Sequence, residues 1–268
     1  MGFHQTMGFA VAEVSKHLQS ASPTVVELGN QRFKVTDTNL DRISQMTGKK
    51  FNFPPNKQLR KGLTKDYFVQ LGFNNYLAID VNDEMNAIVM DLNYDLRSKY
   101  NYQDQFTLVT NNGTSEHIFD QRIVFENIHN LCQVNGIMLH SLPFSPWLNH
   151  GFFNYNPVLF RDLAYANNYE WVFCWIGDTS ATFKNVDPEG FVMEEPVLPD
   201  NKLGKYPKTE LAKTIETFKG NNVQVYAALR KTNDNPFVVP FQGKYIRAID
   251  RKDIKEYQQP DTFQKHHS

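Results

Sequence analysis

The sequence is poor in the features that mark secreted, membrane-bound or nucleic-acid-binding chains. It has two cysteines, Cys132 and Cys174, each inside an apolar run. A disulfide framework and a cysteine-paired zinc site are therefore excluded in favour of two buried, reduced thiols. No apolar stretch approaches the roughly 20 residues needed to span a bilayer. Lys and Arg number 28 against 29 Asp and Glu, a formal net charge of −1 with no basic block. That balance gives no footprint for nucleic acid and no grip on an anionic membrane. The stretch MGFHQTMGFAVAEVSKHLQ lacks a basic segment followed by a long apolar core. No secretory signal is expected, a cytoplasmic location is, and the sequon Asn112-Gly113-Thr114 is expected to be idle. His266 and His267 read as a tail, not as ligands. No Gly-Lys-Ser/Thr occurs, so a Walker-type phosphate loop is also missing.

What is present is an alternation of strand and helix signals. Apolar runs at Thr24–Leu28, Asn75–Asn82, Asn86–Asn93, Gln105–Thr114, Gly136–Pro143 and Tyr169–Asp178 read as six strands. Their nearly continuous hydrophobicity suits a parallel sheet covered on both faces. Asn221–Asn233 reads as a seventh strand, reversed and at or near the sheet edge. Helices are expected over TKDYFVQLGF, over DQRIVFENIHNLCQVNG with an Ile123, Val124, Ile128, Leu131, Val134 stripe, over NPVLFRDLAYANN with Asn156 as N-cap, and over Thr209–Phe218. DTNLDRISQ reads as a further helix. The fold class is α/β: a doubly wound, Rossmann-like, mostly parallel seven-stranded sheet with helices on both faces and a late antiparallel strand. One domain, 1–268, divides into an N-terminal helical arm (1–23), a cofactor-binding core (24–178, with an insertion at about 32–64) and a C-terminal extension (179–268). The extension carries the last strand and is the natural lid.

In such sheets a ligand binds beyond the carboxyl ends of the strands, where strand order reverses. Polar clusters fall at those ends: Glu27-Gly29-Asn30-Gln31, Asp80, Asp91 with Asn93, and Asn111 through His117. A dinucleotide turn needs further glycines where Gln31 and Phe33 stand. The single Gly29 thus argues against a nicotinamide cofactor and favours a ligand without phosphates, of which S-adenosylmethionine is one.

The motifs VVELGNQ, YLAIDVN, MDLN, VTNNGTSEHIFDQ, LHSLP and HGFFNYNPVLFRDLAYANNY, which span most of residues 24–180, resemble those of class I S-adenosylmethionine-dependent methyltransferases, of the bacterial kind grouped with glycan or small-metabolite modification. The resemblance implies that Glu27 and Gly29 close the cofactor turn, with Asn30 and Gln31 near the methionine tail. It implies Asp80 and Val81 at the ribose, Asp91 and Leu92 at the adenine, and Asn111, Asn112 and Gly113 beside the sulfonium. Methyl transfer to a hydroxyl, less readily an amine, of a small molecule or sugar is the activity it implies.

Such transfer needs a base near neutral pH, and histidine suits that role. His117 and His150 fall on the cofactor edge and are the candidates, although each alone fits a hydrogen-bonded structural residue. Glu116 has three readings: orienting a base, contacting the cofactor, or capping the following helix. A metal reading joins Glu116, His117, His140 and His150, but no His-x-x-His or cysteine-pair spacing supports it, and no metal is expected. The aromatics Phe144, Trp147, Phe152, Phe153 and Tyr155 are expected to cover an acceptor pocket. Two other readings stay open: a non-catalytic cofactor-binding or assembly protein of the same fold, and a nicotinamide-dependent oxidoreductase.

Overall fold

A computed structural model describes residues 2–54, 64–185, 215–216, 218 and 221–242. In chain order the elements are β1 (Gly2–Phe3), α1 (Gln5–His17), β2 (Thr24–Leu28), β3 (Arg32–Phe33), α2 (Asp37–Thr47), α3 (Thr64–Leu71), β4 (Asn75–Asp80), β5 (Ile88–Val89), α4 (Leu96–Tyr100), β6 (Phe106–Asn112), α5 (Gln121–Leu131), β7 (Cys132–Ser145), α6 (Pro157–Asn167), β8 (Glu170–Gly177), β9 (Phe183–Asn185) and β10 (Val223–Arg230). The main sheet runs in the order β5-β4-β2-β6-β7-β10-β8-β9. From β5 to β7 every pairing is parallel. β10 lies antiparallel to both β7 and β8, and β9 is antiparallel to β8.

The doubly wound α/β class expected from the runs is therefore the one observed, with eight strands in the main sheet among the described residues and several differences of arrangement. The reversed strand is not at the edge but wedged between β7 and β8, and the edge belongs to β9, a three-residue strand inside what reads as a polar loop. The third expected strand shrinks to Ile88–Val89. Met85 and Asn86 on one side take positive φ angles of 53° and 61°. On the other side Asp91 accepts hydrogen bonds from the Asn93 backbone and amide, forming a polar turn. The helix expected to reach Gly136 stops at Leu131, and the chain passes straight into β7. Val134 is consequently 36% exposed and no part of a buried stripe. The helix expected over Thr209–Phe218 falls largely outside the described residues, as does most of the expected lid.

Side chains alternate across the sheet as the two-residue period requires. Val26, Leu28, Ala227 and Leu229 face α5 and α6, meeting Val124, Phe125, Ile128, Phe160 and Leu163. Val25, Leu108, Leu139, Tyr226 and Ala228 face the other way, onto α1, α2 and α3. The segment expected as an arm is thus a core helix: Met7, Ala10, Val11 and Val14 are fully buried. Its start is pinned by buried polar bonds, His4 Nε2 to Gln224 Oε1 at 2.7 Å and Tyr67 Oη donating to the Gly8 carbonyl at 2.6 Å. Burial drives the His4 ring down to about 4, so it sits in the core as a neutral imidazole.

Truncating one of these α1 side chains tests that placement. Met7→Ala is expected to destabilise the protein by about 2–5 kcal/mol, the cost of a core cavity. Urea unfolding reads the effect, and a midpoint unchanged from wild type would return α1 to the periphery.

Candidate functional site

The sheet creates one crevice by topology. The chain leaves β2 for β4 and β5 on one side, and β6 and β7 extend the sheet on the other, so the carboxyl ends of β2 and β6 flank the reversal point. The crevice there is lined by Gly29, Asn30 and Gln31 from the β2 turn, by Asp80 and Val81 from β4, and by Leu92, Gly113, Thr114 and His117. Gly29 takes φ +80°, and a Cβ there would collide with the Thr114 hydroxyl, so glycine is required twice over. Its N–H donates to the Ile79 carbonyl at 2.7 Å, tying the turn to β4.

Asp80 organises the mouth. One carboxylate oxygen accepts from the Asn30 backbone N–H at 2.6 Å, the other from the Val81 N–H at 2.6 Å and the Asn82 amide at 3.0 Å. Each carboxylate oxygen has two lone pairs, so Asp80 keeps acceptor capacity for hydroxyls entering the crevice. The residues after β2 do not start a helix: Arg32 and Phe33 form β3, and α2 begins only at Asp37. A helix N-terminus at this first turn, the usual seat of a pyrophosphate, is absent among the described residues. Gln31 is buried instead, its amide donating to the Asn112 carbonyl at 2.9 Å.

Other expected residues point elsewhere. Asn111 is buried, its side chain spent on Ser115 and on His140 Nδ1 at 3.3 Å. Asn112 faces Glu27. The Asp91 carboxylate turns toward Asn93, leaving Leu92 alone of that pair in the crevice. Ile79, Met90 and Ile118 also line it and escaped the sequence reading, whereas Thr114 lies in the polar cluster already named. These three are the apolar flanks of strand ends, indistinguishable in sequence from core. His140, between the Phe125 and Phe160 rings, is driven down to about 3 by burial and stands apart from the other histidines.

At one wall of the crevice three groups converge. After β6 a tight turn, Ser115–His117, is fixed by Asn111, whose side chain accepts from the Ser115 N–H, and by Gln121, which donates to the Ser115 and Ile118 carbonyls. The loop after β7 is bonded onto this turn: the Phe152 N–H donates to the Glu116 carbonyl at 2.8 Å. Gly151 presses so close that an added Cβ would stand 2.9 Å from Glu116 Cγ. Two loops distant in sequence are thereby joined. His150 Nε2 comes to 3.6 Å and His117 Nε2 to 3.9 Å from Glu116 Oε1, with the two rings 5.1 Å apart. The Glu116 carboxyl is fully buried and pushed up to about 7 by desolvation. Burial lowers both imidazoles, and their mutual repulsion lowers His117 further. The expected aromatic cover divides: Tyr155 is buried with its hydroxyl on Gln121, Trp147 donates to the Val223 carbonyl, and Phe152 stands 68% exposed, edge-on to Phe119.

A wider cavity of about 780 Å³, lined by Arg161, Tyr165, Tyr169, Trp171 and Thr232 among others, opens at the opposite end of the strands. Its lining carries Arg161, Glu170 and the tyrosines Tyr165 and Tyr169 but no histidine or cysteine, and it lies away from the strand reversal, so its size alone does not make it the site.

Glu27, in the middle of β2, is fully buried and pushed up to about 8 by desolvation, partly offset by the Tyr76 hydroxyl at 2.6 Å and the Asn112 amide. Its folded value lies above its unfolded one, so the protonated acid favours folding, and that advantage is lost as pH rises from about 4.5 through about 8. Glu27→Gln has no such loss. The variant is expected to gain on the ligand-free wild type by roughly 3–4 kcal/mol between pH 5 and pH 8. Urea midpoints at the two pH values check this, and a gap that stays constant would refute a neutral buried Glu27.

No protein-family model and no curated protein matches the chain. Solved structures similar to it include a Burkholderia thailandensis 1,6-didemethyltoxoflavin-N1-methyltransferase with bound S-adenosylhomocysteine, at 12% identity and TM-score 0.45, covering 84% of this chain and 79% of that one. A SAM-dependent methyltransferase from Archaeoglobus fulgidus is similar at 10% identity and TM-score 0.42, over 84% and 94% of the two chains. The O-methyltransferase of a Brevibacillus brevis trans-AT polyketide multienzyme, also with S-adenosylhomocysteine, is similar at 13% identity and TM-score 0.41, over 85% and 72%. Likeness at this level concerns the course of the chain and does not extend to ligand or reaction.

Proposed function

We propose that the protein is an S-adenosylmethionine-dependent methyltransferase acting on a hydroxyl, less readily an amine, of a small molecule or sugar. The observation that carries this reading is the crevice at the reversal point, whose first turn provides no seat for a phosphate. It offers one glycine turn, a carboxylate with spare acceptor capacity, apolar walls, and no helix start for a pyrophosphate. A nicotinamide dinucleotide would need that missing anion seat.

S-adenosylmethionine supplies an electrophilic methyl group on a sulfonium. Asp80 takes the ribose hydroxyls beside Val81, while Ile79, Met90, Leu92 and Ile118 provide the apolar slot for adenine. The backbone at Gly29, Asn30 and Gly113 lies open to the methionine portion, and Glu27 supplies a carboxyl behind the turn that an ammonium would ionise. His117 and His150 take the acceptor proton; burial lowers both imidazoles, and the neighbouring His150 lowers His117 further, which favours the neutral, proton-accepting form. The exposed edges of Phe119 and Phe152 form the acceptor's apolar rim. The chain is read as one domain, its extension from 179 carrying the last strand. Among the described residues no helix is long and apolar enough to cross a membrane.

Calorimetry with S-adenosylhomocysteine tests the cofactor assignment. Asp80→Ala is expected to weaken binding about 10–100-fold, the loss of a charged hydrogen-bond acceptor. His117→Ala and His150→Ala are expected to leave that affinity intact and to slow transfer once an acceptor is supplied. Unaltered affinity in Asp80→Ala would remove the ribose role.

A further inference from the structure

We propose that Glu116, His117 and His150 bind one divalent transition-metal ion, zinc being the type case. The ligand atoms of all three lie within 4.8 Å of one another. Two ligands held at about 2.0–2.1 Å on a tetrahedral ion stand about 3.4 Å apart. The two Glu116–histidine separations, 3.6 and 3.9 Å, are close to that value and too long for hydrogen bonds. The carboxylate supplies the independent sign. Glu116 is fully buried, and neither of its oxygens has a hydrogen-bond partner among the described residues. A buried carboxyl without partners costs stability unless something binds it, and both imidazoles present nitrogen toward it without donating.

The donor set selects the ion. Two imidazole nitrogens and one carboxylate oxygen suit zinc, manganese, cobalt or iron, whereas magnesium and calcium prefer oxygen throughout. The backbone bond from Phe152 to Glu116 and the close approach of Gly151 hold the two loops together without the ion. The site is thus preorganised. Glu116 forms its floor, while His117 and His150 are partly exposed, with side-chain exposures of 45% and 29%. Further ligand positions therefore face the crevice side and solvent, as in catalytic and not closed structural sites.

The ion's chemical role rests on the methyl-transfer reading, although its binding does not. An acceptor hydroxyl on an open position becomes more acidic. Its proton passes to water, its oxygen lone pair forms the bond to the methyl carbon, and the electron pair of the broken carbon–sulfur bond stays on sulfur. In that state the histidines hold the cation in place of the proton.

The test uses the full chain, stripped with a chelator, dialysed and titrated with zinc chloride against a chromophoric competitor. One ion per chain is expected, with affinity reduced at least about 100-fold in Glu116→Gln and in His150→Ala and unchanged on removal of His266 and His267. Should Glu116→Gln fail to fold, His117→Ala and His150→Ala, at partly exposed positions, decide the matter. Zinc uptake equal in wild type and His150→Ala, no uptake, or uptake abolished by trimming the tail would each overturn the site. Calorimetry with S-adenosylhomocysteine on the same preparations separates the two readings: cofactor binding without zinc removes only the ion, and zinc without cofactor binding removes only the methyltransferase.

Discussion

Parallel pairing of β2 with β6 is the constraint on which the molecule depends. Val25 to Leu28 lie in register with Leu108 to Asn111, which brings Gly29 and Gly113 to the same crevice at the carboxyl edge. From there the sheet grows in both directions, and a crevice opens because no crossover helix can cover the junction from either side. The Gly29 turn, the Asp80 carboxylate and the Ser115–His117 turn are local solutions to the same problem, that of ending parallel strands whose neighbours diverge. Backbone N–H groups at these ends find partners close by: Gly29 on Ile79, Met90 on Asp80, and Gly113 on Ser141.

Much of the fold was legible because a parallel sheet writes itself as apolar runs. VVEL, YLAID and FTLVTNN are strands where the sequence places them, since burial on both faces leaves no room for alternation with polar residues. The third strand was overread, because AIVM is apolar enough for a strand and its interruption comes from left-handed turns at Met85 and Asn86, which apolar content does not report. The lateral position of β10 was not legible at all. Alternation tells which face a residue takes, but nothing in VQVYAALR names its neighbours, and only the packing of Tyr226 and Ala228 onto α1 settles where it goes. The helical content of the first residues was visible, but its burial was not.

The candidate site divides along similar lines. Asp80, Gly29 and His117 were reachable from position alone, since strand-end residues project into the crevice. Asn111 and Asn112 were misleading for a physical reason: in a strand the side chains alternate, and these two turn into the sheet's faces while only backbone reaches the opening. The meeting of His150 with Glu116 leaves no periodic trace, because one backbone hydrogen bond and one glycine contact bring it about. Burial of Glu116 is equally silent in sequence, where orienting a base, contacting the cofactor and capping a helix all stay open for it.

The wedge position of β10 also governs the order in which the chain can be finished during synthesis. β7 and β8 emerge from the ribosome first, yet neither has its final partner on the inner side until Val223–Arg230 arrives. Until then the nascent protein carries two unsatisfied strand edges with a gap one strand wide, and β8 can only wait with its short hairpin mate β9. A chain stopped short of residue 223 would leave that gap for good and offer it to any extended segment that fits, which makes this seam the natural point of misassembly.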